Sequence, residues 1–375
     1  MAQWLRQSPL DMSGQCRDET WVHRDAGGEE SLPVQVRLGK PIDILKLKQN
    51  MLEEFGAQTT AVRTSRRQLF SDPARIQNVP CCPICGCGEF EPRLSFYGAH
   101  YHECSGCSHH FVVNRATPAE IEAFYAEGES YQTTYADKRT AETRVQQVAL
   151  PKAHWILEQF ERLYGRRPRS VLDVGAGCGH FVQACRQLDI PADGLEISPA
   201  GRRACKELFG FEMSGDDFIT QWKAWSDYEV VTFWGVIEHV VDPPAMLDAA
   251  SRVLADREGM VVAEVPRWNC LATAVQSAYP QTIVRHLEPL GHINCFTDAS
   301  LATALRRASF DVVAAWYFGM DAYELAIQVS HAVGNPEIVG ELAKARTDGM
   351  PTATPASAAH ASTPSRSSAN SGKSR

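Results

Sequence analysis

The chain has 375 residues, of which 44% are hydrophobic, 22% charged and 9% aromatic; it can bury a full core, which excludes a wholly disordered chain, a collagen or a coiled-coil rod. Its 37 Lys+Arg against 45 Asp+Glu give a formal charge of −8, so a phosphate backbone is a poor partner and no nucleic acid is expected. The apolar run Val230–Ile237 is far short of the roughly 20 residues of a spanning helix, and the residues from Met1 to Gln7 lack the apolar stretch of a secretory signal; no membrane and a cytoplasmic, reducing location are expected.

Residues 1–77 are read as an N-terminal extension, partly disordered with one helix. Up to about residue 35 it is polar and Gly-rich, with Gly27-Gly28 as its low point. Residues 41–55 place Ile44, Leu47, Met51 and Phe55 near one helical face, with Pro41 suited to the first turn and Gly56 to the stop. Residues 78–113 hold six of the 12 cysteines: Cys81, Cys82, Cys85, Cys87, Cys104 and Cys107. Cys82-Pro-Ile-Cys85 and Cys104-Ser-Gly-Cys107, with 18 residues between them, have the spacing of two knuckles that present four thiolates tetrahedrally, the geometry zinc prefers. Four thiolates leave no open position, so the site is expected to be structural. Cys81, Cys87, His102 and His109 are adjacent spare donors.

A helical connector is expected over 114–168. One helix starts at Thr117 as N-cap and Pro118 as first helical residue, and another covers about 139–164. The main domain is expected over 169–330. Strand-like runs at Ser170–Val174, Ala192–Ile197, Glu229–Trp234 and Met260–Val265 alternate with helical segments at about 180–188, 199–208 and 244–254. Such alternation argues for a parallel sheet with helices on both faces. Asp311–Tyr317 and Glu324–Val329 lack a crossover helix and read as an antiparallel hairpin at the sheet edge. A C-terminal helix is expected over 331–346 and a disordered Ala/Ser/Thr/Pro tail over 347–375.

The strongest signal is the run from Val171 to Phe181, an apolar strand entering Gly175, Gly177 and Gly179 and then a helix. Glycine is required where backbone turns sharply or lies against a ligand. The third glycine of the dinucleotide fingerprint is replaced by His180, and the Lys-Ser/Thr of a phosphate loop is missing; nicotinamide and ATP both become poor candidates. Glu196 ends the second strand, where a carboxylate can accept both hydroxyls of a ribose. In Ser214-Gly-Asp-Asp-Phe218, a carboxylate can take an adenine amino group, with Phe218 packing on the ring. Gly235 to Pro243 follows the fourth strand.

This ordered set resembles the class I S-adenosylmethionine-dependent methyltransferases over about residues 150–330. The resemblance implies an α/β, Rossmann-like sheet of seven strands in the order 3-2-1-4-5-7-6, behind a small zinc-ribbon unit. It implies that Gly175, Gly177 and Gly179 cradle the methionine part of S-adenosyl-L-methionine, that Glu196 holds the ribose and that Asp216 lies near adenine. Asp173, Asp217, Phe218, Trp234 and Gly235 complete the expected cofactor site. A ribbon ahead of this fold resembles two groups: bacterial sugar C-methyltransferases with their relatives in polysaccharide and natural-product gene clusters, and zinc-containing ribosomal RNA guanine methyltransferases. The first fits better, because the chain is acidic and the ribbon is not conspicuously basic.

Methyl transfer is an in-line displacement that often requires loss of a proton from the acceptor. His292 and His239 are the expected catalytic residues, and His286 is a weaker third. Sugar C-methyltransferases carry a Glu-His pair where this chain has Gly291-His292. That weakens C-methylation and leaves O- or N-methylation with a His base open. Glu238-His239 resembles the E-x-x-E-H metal site of ubiquinone-type O-methyltransferases, but its first Glu falls on Gly235. Two ligands are a poor site for a hard cation, so no catalytic metal is expected. The expected function is methylation of a small polar metabolite, a sugar or natural-product intermediate. An RNA methyltransferase and a non-catalytic cofactor-binding protein are the alternatives, and the oligomeric state stays open.

Overall fold

Alternation and burial sort the strands into separate sheets. The computed structural model describes residues 3–6, 16–25, 28–40, 55–126, 135–255, 257–279, 287–319, 321–335 and 337–338. The strands in chain order are β1 (Gln3–Arg6), β2 (Cys16–Asp25), β3 (Gly28–Leu38), β4 (Ile76–Asn78), β5 (Phe90–Phe96), β6 (Ala99–Cys104), β7 (His110–Val112), β8 (Asn114–Ala116), β9 (Val171–Val174), β10 (Ala192–Leu195), β11 (Val230–Trp234), β12 (Met260–Glu264), β13 (Asn294–Cys295) and β14 (Ala314–Tyr317).

The expected parallel sheet is formed by β9 to β12 in the order β10-β9-β11-β12. Val171 stands opposite Ala192 on one side and Val230 on the other. Parallel strands must be covered on both faces, and all four residues of β9 are buried. Leu172, Val174 and Phe233 share a core with Met246 and Leu247 of the helix Pro243–Val253. Val171 and Val230 share another with Phe160 of the helix Leu150–Tyr164 and Val182 of the helix His180–Gln187. Outside β10, Ser214 adds a single parallel bridge to Leu195. Of the expected order, the described residues therefore hold the 2-1-4-5 part, with the third position reduced to that bridge.

Beyond β12 the chain leaves this sheet, which corrects the expected edge hairpin. β13 joins the ribbon sheet β13-β7-β6-β5, and β14 runs parallel to β3 in the sheet β1-β2-β3-β14. Residues 324–329 lie within the helix Asp321–Val333. A short apolar run is compatible with either helix or strand, and here Ala326, Ile327 and Gln328 are buried consecutively, as packing of this helix on Leu271–Ala278 allows.

The loose order expected up to residue 35 is also corrected: β2 and β3 pair over their whole length, from Cys16 opposite Arg37 to Asp25 opposite Gly28. In β3, Leu32, Val34 and Val36 are buried while Ser31 and Pro33 are exposed, the two-residue period of a half-buried strand. Residues 41–54 of the expected helix, the C-terminal segment 339–346 and the tail 347–375 lie outside the described residues. A helix absent from the sequence reading occupies Phe55–Phe70.

Of the expected connector 114–168, residues 114–116 form β8 instead, paired antiparallel with β4, and helices follow it. Thr117 Oγ1 accepts from the Glu120 amide at 3.4 Å at the start of Pro118–Ala126. Lys138–Arg144, a π-helical turn at Val145–Ala149 and Leu150–Tyr164 then run on to Gly165 in the left-handed region. The ribbon is not a detached appendage: Cys82, Ile84, Cys104, Cys107 and Phe111 share one core with Phe233, Ile237 and Phe296. No helix among the described residues is long and apolar enough to cross a membrane.

Candidate functional site

The carboxyl ends of β9, β10, β11 and β12 lie at one edge of the parallel sheet, the edge at which open α/β sheets form their ligand cleft. Gly175 follows β9 at φ +73°, and its amide donates to the Leu195 carbonyl at 2.8 Å. A Cβ there would stand 2.6 Å from Val236 Cγ2, and one on Gly179 (φ +79°) 2.5 Å from Cys205 Sγ. The glycine loop is thus pressed between the turn after β11 and the helix Pro199–Phe209. Gly177, at φ +60°, donates its amide to Glu196 Oε2 at 2.8 Å. The other oxygen of Glu196 accepts from the Ser198 amide at 2.8 Å. Each carboxylate oxygen has two lone pairs, so both keep capacity for a ligand hydroxyl. Burial pushes the Glu196 carboxyl up, against the two amides that favour its charge.

Asp173 is buried at the end of β9 and accepts from Thr232 Oγ1 at 2.7 Å. Burial pushes it up to about 7. Trp234 ends β11, with its ring 5.1 Å from that of Phe181 and Lys152 Nζ 4.3 Å from its centroid. Gly235, at φ +71°, donates its amide to the Glu264 carbonyl at 3.0 Å. Asp216 is half-buried beside the Ser214 bridge, and its amide donates to Ser214 Oγ at 3.1 Å. Two expected cofactor residues have other partners. Asp217 caps the short helix Phe218–Gln221, accepting from the amides of Ile219 and Thr220. The Phe218 ring is buried edge-on to Phe233, at 5.9 Å between centroids, within the core.

The opposite wall of the cleft comes from the turn Gly235–His239 and the segment Leu287–Cys295. His239 and His292, named separately from the sequence, have ring centroids 4.9 Å apart. The Asn294 amide donates to the Glu238 carbonyl at 3.1 Å, and Asn294 Nδ2 to the Val240 carbonyl at 2.8 Å, so the two segments are sewn together. His239 Nδ1 donates to the Gly291 carbonyl at 2.9 Å, and burial lowers the basicity of its ring. The Glu288 carboxylate accepts from the Gly291 amide and from Arg66. Glu238 is only 2% exposed, and its Oε2 has no hydrogen-bond partner; burial pushes the carboxyl up to about 8. His286 lies outside the described residues.

Sequence reasoning missed Lys152 and Glu264, which pair at 2.8 Å, and Lys40, which follows β3 and lies over the Phe318 ring at 3.8 Å. Burial, with Lys152 adding repulsion, lowers Lys40 to about 7. No local motif marks these residues; they arrive from three separate elements. Tyr125, whose ring meets His239 edge-on at 5.9 Å, is similarly remote.

In the ribbon, Cys82 and Cys107 stand 3.6 Å apart at sulfur, and Cys85 and Cys104 3.4 Å. All four sulfurs lie within 4.8 Å of one another. Tetrahedral zinc with Zn–S bonds of about 2.3 Å separates its thiolates by roughly 3.8 Å, so the set fits that ion. The Gly106 amide donates to Cys104 Sγ at 3.3 Å. Of the spare donors, His109 is buried between Ser300 and Asn294, and Cys81 is exposed.

Residues 145–315 match a family model described as a methyltransferase domain. Over those residues the chain carries a methyltransferase domain. No curated protein sequence matches it. Similar solved structures include a SAM-dependent methyltransferase from Archaeoglobus fulgidus, at 20% identity and TM-score 0.33, covering 42% of this chain and 69% of that one. A sugar N-methyltransferase from a Streptoalloteichus species is 23% identical at TM-score 0.26, over 31% of this chain and 47% of that one. The plantazolicin methyltransferase BpumL, solved with SAH, is 14% identical at TM-score 0.38, over 60% of this chain and 89% of that one.

Proposed function

We propose that this methyltransferase acts on a small polar metabolite, a sugar or a natural-product intermediate, with Cys82, Cys85, Cys104 and Cys107 holding a structural zinc ion. The observation that carries the small-acceptor reading is the composition of the cleft. One wall is the glycine loop with Glu196, and the other is the Gly235–His239 turn sewn to the His292 segment. Ligands of open parallel sheets bind beyond the carboxyl ends of the strands. The sugar or natural-product class rests on the ribbon-plus-methyltransferase resemblance and on the net acidic charge, which disfavours RNA.

When bound, S-adenosylmethionine supplies an activated methyl group on its sulfonium. The positive-φ glycines let the backbone approach its methionine part, and Glu196 is assigned to the ribose hydroxyls. Asp216 stands at the adenine end. Asp173, buried at about 7, and Trp234 close the floor. His239 and His292 are assigned to the acceptor, which they hold and prepare for loss of a proton; the main contribution of such a site is orientation.

The test is a panel of nucleotide sugars and natural-product intermediates incubated with methyl-labelled cofactor, with a structured RNA as the contrary arm. Labelled small-molecule product is expected. Label transferred to RNA alone would refute the acceptor class. In parallel calorimetry with S-adenosylhomocysteine, Glu196→Ala should bind about tenfold more weakly or worse, since charge-assisted hydrogen bonds contribute about 1.5–3 kcal/mol each. Unchanged affinity would remove Glu196 from the ribose.

A further inference from the structure

We propose that Glu238, His239 and His292 form a second metal centre, separate from the four cysteines, for a divalent first-row transition-metal ion. One donor atom from each residue lies within 4.8 Å of the other two. Glu238 Oε1 and His239 Nε2 are 3.7 Å apart. Zinc-like ions hold imidazole nitrogen and carboxylate oxygen at about 2.0–2.2 Å, which puts two donors on one ion roughly 3 Å apart. Only a small contraction of the cluster is needed.

Two further observations point at a cation. Glu238 is 2% exposed, and its Oε2 is buried without a partner. A buried carboxylate oxygen with no donor is costly, and a bound cation offsets that cost. His239 Nδ1 donates to the Gly291 carbonyl at 2.9 Å. That bond keeps the proton on Nδ1 and leaves the Nε2 lone pair on the Glu238 side. Metal-bound histidines are oriented in this way by a carbonyl or carboxylate behind them.

The donor set selects the ion. Two imidazoles and one carboxylate suit zinc, iron, cobalt or nickel better than magnesium or calcium, which prefer oxygen alone. Three protein ligands also leave coordination positions open, as in catalytic rather than structural zinc sites. The proposed centre departs from the expectation of no catalytic metal. Gly235 stands where a further carboxylate would be needed in the sequence motif, but His292 brings the third donor from a segment 53 positions after His239. A Cβ on Gly235 would lie 3.5 Å from Glu238 Oε1, so the centre adjoins the cofactor side of the cleft. Its use there, as a Lewis acid that eases ionisation of an acceptor oxygen, rests on the methyltransferase reading; the binding of the ion does not.

The experiment takes the full chain with zinc already in its cysteine site and titrates it with Co²⁺ alone. One further cobalt per chain is expected, with ligand-field absorption but no thiolate-to-cobalt charge transfer. Glu238→Gln, which keeps the shape of the side chain, together with His239→Ala and His292→Ala, should each weaken this uptake at least about tenfold, since even outer-shell partners of a metal cost 10–100-fold. Zinc content and S-adenosylhomocysteine affinity should stay unchanged in the variants and certify their folding. If the wild type takes up no further cobalt, or if Glu238→Gln and any folded His variant take it up as the wild type does, the centre is refuted. Failure of the methyltransferase reading looks different: the wild type would take up cobalt and bind no S-adenosylhomocysteine.

Discussion

The two walls of the cleft are built in opposite ways. On the cofactor wall each functional group follows its own strand: Gly175 to Gly179 after β9 and Glu196 after β10. The groups need only the parallel register of the sheet to meet. On the acceptor wall, Glu238 and His239 meet His292 because β13 pairs with β7 of the ribbon sheet and Asn294 bonds back to residues 238 and 240. Tyr125 comes from the connector. The first wall is local and its placement is inherited from the sheet; the second is assembled and depends on the ribbon.

That dependence gives the largest expected effect. Cys82→Ser or Cys107→Ser removes a ligand from a site whose residues share a core with Phe111, Phe233, Ile237 and Phe296. Losing a structural metal belongs to the severe class of substitutions, and we expect at least about 3 kcal/mol of destabilisation, or roughly 6 °C or more in Tm. Zinc content measured beside the melting curve should fall from one ion per chain in the cysteine site. If Tm is unchanged while zinc is lost, the acceptor wall does not lean on the ribbon.

The contrast between the walls also explains what was legible in the sequence. β9 to β12 were visible because each is a short run with apolar residues, buried throughout β9 and over most of β11, with glycines or polar turns behind it. The glycine loop and Glu196 were legible for the same reason, each standing directly behind one of these strands. His239 and His292 were each visible as histidines near strand ends, but their 4.9 Å meeting was not, because it is fixed by pairing between segments far apart in the chain. Lys152 and Glu264 carry no local signal at all. In the N-terminal sheet, Pro33 and Gln35 between Leu32, Val34 and Val36, with the glycines and glutamates at 27–30 before them, hid the alternation behind a polar average. From Thr60 onward the helix Phe55–Phe70 fully buries Arg66, Leu69 and Phe70 alone, too thin a stripe to announce itself. Phe218 and Asp217 stood in the right segment, but the core and a helix N-terminus took their side chains.

A smaller effect should be confined to the cofactor wall. Gly175→Ala places a Cβ 2.6 Å from Val236 Cγ2 at a residue with φ +73°. The left-handed conformation alone costs a non-glycine residue about 1–2 kcal/mol, so cofactor-product affinity in calorimetry should drop about tenfold or more. Cobalt uptake at Glu238, His239 and His292 should persist, because none of those residues belongs to the glycine loop. Equal loss of both activities would show that the two walls are one unit through Val236, and the contrast between them would fail.

The smallest effect concerns the foot of the sheet, which both walls share. Glu229 is 2% exposed just before β11. It accepts from the Arg169 amide at 2.7 Å, from Arg169 Nε at 2.6 Å and from Arg166 Nη1 at 2.9 Å. Burial by itself would raise this carboxyl, but the two arginines outweigh it and bring it down to about 2. Because the folded value lies below the unfolded one, Glu229 stabilises the fold fully above the ordinary carboxylate range near 4.3, and that stabilisation is lost as pH falls from there through about 2. Glu229→Gln should therefore be less stable at neutral pH and show a shallower loss of stability in acid than the wild type, read as Tm against pH. Followed by tryptophan fluorescence and by cofactor-product binding together, acid melting of the wild type should be a single transition, since Arg166 and Arg169 tie the entry to β9 to the entry to β11. Loss of binding at a pH where the fluorescence transition has not begun would mean that the cofactor wall loosens before the sheet melts.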